Sequence, residues 1–226
     1  MLLLALLLAT DAAPSGLRPP DTGALAGRVT LTGLAPQLAN LPVTRDMKVC
    51  GTSKPDESLE VKDSGVKNAV IWFTDLPEAG DAKPPRQKLD QTSCAFSPHV
   101  LAAPIGAAVD VVNSDKALHN VRAQEGDLKL MNYAMPIPGH VVPTRLKKQG
   151  IFKVSCDVHP WMRAWILVLP TAKLAVTDEN GAYRIEGLPP GKHQIKIWHE
   201  RLGEKDAEIE ISADRTAKHD VAYTPR

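Results

Sequence analysis

Apolar and polar positions alternate along most of this chain in short bursts, separated by clusters of Pro, Gly, Asn and Asp. Successive side chains of a strand point to opposite faces, so such alternation predicts half-buried strands. On this pattern strands are expected at 24–32, 66–73, 100–103, 109–113, 119–124, 141–148 and 150–156, with short pieces at 41–44 and 59–62. Within 66–73, Ala69, Ile71 and Phe73 share one face. The run Ala164-Trp165-Ile166-Leu167-Val168-Leu169 is apolar throughout and predicts a fully buried strand. Residues 76–88 carry Pro77, Gly80, Pro84 and Pro85 and read as a surface loop, as does the stretch with Met131, Met135, Pro136 and Gly139. No helix is apparent.

The tail continues in the same grammar. The stretch 175–192 reads as hairpins: Asn180-Gly181 predicts a tight turn that needs positive φ, and Leu188-Pro189-Pro190-Gly191 predicts the next turn. Amphipathic strands follow at 193–199, 207–211 and 217–223. Nothing in the tail carries catalytic chemistry.

Composition agrees with an all-β chain rich in turns: 226 residues with 19 Pro and 15 Gly, and 43% hydrophobic content, enough for one large core or two modest ones. A formal charge of +1 gives no electrostatic reason to invoke nucleic acid or an anionic membrane surface. Residues 1–9, Met-Leu-Leu-Leu-Ala-Leu-Leu-Leu-Ala, are too short to span a bilayer. Followed by a zone of small residues, they match a secretory signal, expected at 1–13 with a flexible leader over 14–23; the rival readings are a core strand or a membrane anchor. No other run reaches spanning length, so the mature chain is expected not to insert in a membrane, and the export signal places it in the periplasm or outside the cell.

The chemistry concentrates in Cys156-Asp157-Val158-His159-Pro160-Trp161-Met162. Thiolate, imidazole and thioether here share one short loop between two expected core strands, and the alternation Phe152, Val154, Cys156 aims the thiol inward. Soft thiolate and thioether favour Cu(I) and imidazole suits both oxidation states, so the set fits a copper ion. A second imidazole is needed, and His119 is the candidate: Asn113-Ser114-Asp115 is turn chemistry that delivers the chain to it at the start of a strand. Zinc is the nearest rival, but a structural zinc site wants four strong ligands and thioether is a poor one. A thiol nucleophile with His159 as base lacks the helix N-terminus or neighbouring cation such sites use. His99, His140, His193, His199 and His219 share no motif and read as structural or solvated; Trp161 and Trp165, flanking the loop, read as core, the alternative being a shield for the metal and a docking surface for redox partners.

Of three cysteines, a metal-held Cys156 leaves Cys50 and Cys94, a pair that in an oxidising compartment becomes a disulfide. The alternative is a second metal site from Met47, Cys50, Cys94 and His99, for which nothing in the spacing speaks.

Leu118-His119-Asn120 and the Cys-x2-His-x2-Met loop resemble the copper motifs of cupredoxins, and the loop spacing that of amicyanin and its relatives. With Cys94-Ala-Phe-Ser-Pro-His99-Val, the chain resembles a periplasmic plastocyanin-like bacterial family in which a second β-domain follows. The resemblance implies a cupredoxin-like Greek-key β-sandwich over 24–170, with one type 1 copper ion held by His119, Cys156, His159 and the weak axial Met162. It implies that Asn120 braces the ligand loop and that Pro160 stiffens it. The tail, 171–226, resembles a smaller Ig-like, carboxypeptidase regulatory-like (transthyretin-like) β-sandwich. About fifty-five residues is marginal for an independent core, so the tail is expected to pack on the first unit, borrowing strand 164–169 or the N-terminal strand 27–32. The function implied is one-electron transfer with redox partner proteins of the periplasm or cell envelope, without enzymatic activity; the electron is expected to cross at His159. The alternative is a copper-binding or envelope-interaction module with no carrier role.

Overall fold

The computed structural model describes residues 21–76 and 84–225, and it is built almost entirely of strands. The expected export signal at 1–13, the leader as far as 20 and residues 77–83 of the expected surface loop lie outside the described residues. No helix among the described residues is long and apolar enough to cross a membrane.

Two sheets make the first sandwich. One orders His140–Arg145, Ala108–Asn113, Gln87–Thr92 and Ala95–Ser97; the other orders Leu128–Met135, His119–Glu125, Gly150–Ser155, Arg163–Leu169 and Val100–Pro104. Their facing sides bury Leu89, Val109, Val111, Val121, Ala123, Phe152, Val154, Ala164 and Ile166 in one core. Two strands were not among those expected, the first starting at the end of the expected 76–88 loop and the second lying in the expected Met131–Gly139 loop. Gln87–Thr92 pairs in parallel with Ala108–Asn113, and Leu128–Met135 pairs antiparallel with His119–Glu125, burying Met131 and Met135. Thioether side chains fill irregular core gaps, and here Met131 and Met135 take the inward places of a strand that reads poorly as alternation.

Two more sheets make the second sandwich. One orders Leu174–Val176, Val70–Phe73, Gly191–His199 and Gly203–Ile211; in the other, Gly23–Leu31 is flanked by Ala182–Leu188 and by Thr216–Lys218 and Val221–Tyr223. The core between them holds Leu25, Val29, Ile71, Phe73, Tyr183, Ile185, Ile195, Ile197 and Tyr223. The expected boundary at 170 therefore does not separate the sheets. Gly23–Leu31 and Val70–Phe73, assigned to the first unit, pair with tail strands. The physical reason is the one that made the tail marginal alone: its strands need a partner, and the N-terminal strand supplies it rather than 163–169.

The expected hairpin around Asn180-Gly181 is also corrected. Leu174–Val176 and Ala182–Leu188 belong to different sheets, so the turn carries the chain from one layer to the other. Gly181 has the positive φ the turn requires, 76°, and Asp178 closes it by accepting from the Asn180 and Ala182 amides at 2.8 and 2.9 Å.

The strand Arg163–Leu169 is buried from Ile166 to Leu169, while Arg163 is exposed and Trp165 half-buried, and this burial has its reason in the joint between sandwiches. Ile166 and Val168 face the first core, while Leu167 and Leu169 pack with Val70, Trp72, Val100, Ala102 and Trp198. Trp165 meets Trp198 edge-on at 5.3 Å between ring centroids. Buried charge sits at one end of this joint: His99 lies between Glu57 and Glu200, bonded to Glu200 and 3.6 Å from Glu57.

Candidate metal centre

His119 opens the strand His119–Glu125, whose inward positions are His119, Val121 and Ala123. The turn before it is built by Asn113, whose amide donates to Ala117 O at 3.0 Å and Met135 O at 2.7 Å while its carbonyl accepts from the Asp115 amide at 3.0 Å. Cys156 follows the last residue of Gly150–Ser155 and is buried, in the inward phase. The loop then turns at His159, with the Met162 amide bonded to His159 O at 2.9 Å, and re-enters the sheet at Arg163.

This brings His119, Cys156 and His159 together, with one donor atom of each within 4.8 Å of the others. The two Nδ1 atoms stand 2.8 Å apart, and Cys156 Sγ is 3.8 Å from His159 Nδ1. Both imidazoles are wholly buried. Each Nε2 is committed to a carboxylate: His119 to Asp115 at 2.9 Å and His159 to Asp46 at 2.8 Å. An ionised carboxylate only accepts, so the Nε2 atoms carry the protons and Nδ1 is left with its lone pair facing the thiol. Two nitrogen lone pairs and a sulfur converging among buried side chains are a donor set that a soft or borderline cation satisfies. Burial, the first cause, lowers the pKa of His119; the Asp115 hydrogen bond opposes it and the neighbouring His159 adds to it, so His119 favours the neutral, ligating form.

Met162 is buried at the end of the loop, within the same core as Cys156. Asn120 braces the loop from the neighbouring strand: its carbonyl accepts from the Asp157 amide at 2.6 Å, its amide donates to the Asp157 carboxylate at 2.9 Å, and its backbone N–H lies 3.5 Å from Cys156 Sγ. Pro160 sits exposed in the loop, directly after His159. Trp161 is buried over His159, 5.0 Å between ring centroids, and donates to Cys94 O at 3.1 Å.

Cys50 and Cys94 form a disulfide, and both are buried. The alternative second metal site does not assemble: Met47 is 55% exposed and His99 faces Glu200 and Glu57. Cys94 Sγ lies near Asp115 and His119, but in the disulfide it offers no thiolate.

The expected electron exit at His159 meets an obstacle. His159 is 0% exposed: Trp161 lies against its ring, and Asp46, from the irregular 41–54 segment, holds its Nε2. Asp46 and Asp115 escaped the sequence reading. Asp115 had a signal, four residues before His119 in a turn; Asp46, 113 residues from its partner, had none.

No protein-family model matches the chain, and no curated protein matches it. Among solved structures it is similar to a purple cupredoxin from Nitrosopumilus maritimus, with 20% identity, 37% of this chain and 99% of that one covered, and a TM-score of 0.32. It is also similar to amicyanin from Paracoccus versutus, with 20% identity, 44% and 97% covered, and a TM-score of 0.34. A copper-containing nitrite reductase from Thermus scotoductus gives 24% identity, 42% of this chain and 25% of that one, and a TM-score of 0.33.

Proposed function

We propose that the first sandwich is a type 1 copper protein that transfers single electrons, with His119, Cys156 and His159 as the strong ligands and Met162 as the weak axial one. The observation that carries this reading is the convergence of two Nδ1 lone pairs and one thiol in a buried pocket, each imidazole held by a carboxylate on its far nitrogen. Copper there would supply one-electron redox chemistry. The chain's own part is to fix donors of mixed softness before the ion arrives, to exclude water with Trp161 and Met162, and to hold the loop through Asn120. The Cys50–Cys94 disulfide supports an oxidising compartment, the periplasm or the exterior. The partners on this reading are redox proteins of the envelope.

The test is the optical and EPR spectrum of the copper-loaded protein. An intense visible band that Cys156→Ser abolishes is expected; a band that survives this substitution ends the assignment. Met162→Leu should retain copper and shift its potential. Release of the metal on reduction, in place of reversible cycling, would select copper storage or delivery over electron transfer.

A further inference from the structure

We infer that Asp46 is a positioning residue for His159 and that the 41–54 segment carrying it is a cover that closes the centre on that side. Its consequence for copper rests on the reading above; the geometry and the test stand apart from it.

The segment is anchored on both sides of Asp46. Ahead of it, Leu41–Pro42 pairs with Ser53–Lys54, and Val43 is buried in the first core with its amide on Thr52 O at 3.1 Å. Behind it, the single turn Met47–Cys50 ends in the disulfide to Cys94, with the Cys50 amide on Asp46 O at 2.9 Å. Asp46 itself takes a left-handed backbone conformation, φ 48°, which an aspartate tolerates better than most residues. Held this way, its carboxylate has one oxygen on His159 Nε2 and a side chain 48% exposed, while His159 has no exposure at all. The carboxylate is thus the layer between this imidazole and the solvent.

The same disulfide reaches the other histidine. The Ser93 and Cys94 amides each donate to the Asp115 carboxylate at 2.7 Å, and that carboxylate holds His119 Nε2. One covalent link therefore fixes the acid partner of both imidazoles, and with it the tautomer that points each Nδ1 at Cys156. Electron exchange through the His159 edge has to cross Asp46 or wait for the segment to move.

The test uses the full-length apoprotein, so it reads the cover without metal. Ring N–H exchange of His159, followed by 15N NMR, is expected to be slow in the wild-type chain. It should stay slow in Asp46→Asn, whose carbonyl oxygen can accept the same bond. It should rise about tenfold or more in Asp46→Ala and in Cys50→Ala/Cys94→Ala, the factor expected for losing one net hydrogen bond. Wild-type exchange rates in Asp46→Ala would overturn the inference; should that variant not fold, the same rates in Asp46→Ser would do so. In the loaded protein, copper transfer to an external chelator should accelerate in Asp46→Ala with unchanged stoichiometry. A wild-type chain that takes up no copper would sink the metal reading and leave the N–H result standing.

Discussion

His193 of the second sandwich and His119 and His159 of the first are all buried and all touch a carboxylate. His193 spends both nitrogens, Nδ1 on Asp75 at 3.0 Å and Nε2 on Pro189 O at 2.9 Å, and so ties the 191–199 strand to its surroundings. His119 and His159 spend one each and aim the other at a shared point beside a thiol. A buried histidine with both nitrogens answered by the protein is architecture. Two that keep a lone pair for the same spot mark a site.

The sharpest way to break this contrast is to remove one histidine from each group. His119→Ala should abolish copper binding, measured as bound metal per chain, whereas His193→Leu should leave the stoichiometry unchanged. Equal metal loss in both would erase the distinction. Next in size is the covalent link: Cys50→Ala/Cys94→Ala frees a loop whose ends are 44 residues apart and should cost about 4 kcal/mol in the chain-entropy account, read as a lowered thermal midpoint. His193→Leu should cost less, about 1–3 kcal/mol in urea unfolding, because Asp75 and Pro189 O lose a partner.

The smallest effects are those of pH at the joint, where two neighbouring histidines act in opposite directions. Burial alone would lower His99, but the Glu200 hydrogen bond and charge, with Glu57, outweigh it and raise it. Its stabilisation is then full below its unfolded value of about 6.5 and is lost as pH rises through the raised folded value. Burial lowers His199 to about 4, so its stabilisation is present above about pH 6.5 and is lost as pH falls toward 4. Urea midpoints of wild type and His99→Gln should therefore differ most near pH 6 and converge as pH rises. Those of His199→Gln should vary less than wild type between pH 4 and about 6.5. A His99→Gln difference that grew with pH would reverse the sign assigned to that pair.

The gathering of His119, Cys156 and His159 was legible in the chain because these candidate donors lie on regular strands or in one short loop. The alternation ending at Cys156, and the turn residues before His119, place both donors inward by local rules alone. The all-β class and the doubly apolar strand Arg163–Leu169 were legible for the same reason. What could not be read is non-local. Gly23–Leu31 finds most of its partners more than 150 residues away, so no local signal sets the unit boundary elsewhere than 170. Asp46 meets His159 from an irregular segment with no periodicity to follow. Leu128–Met135 hid because Met and Asn alternate less clearly than β-branched residues do.

The threading of Gly23–Leu31 between Ala182–Leu188 on one side and Val221–Tyr223 on the other sets an order of events during synthesis. The strand is made long before these two partners and keeps unsatisfied edge positions until residues 182–223 have followed. Closing so long a stretch is slow, and a waiting edge invites pairing with other chains. Gly27, where an added Cβ would fall 1.8 Å from His219 O, leaves no slack once that closing strand arrives. Correct closure of this sheet is then decided at residues 216–223, well after the 156–162 loop has been completed.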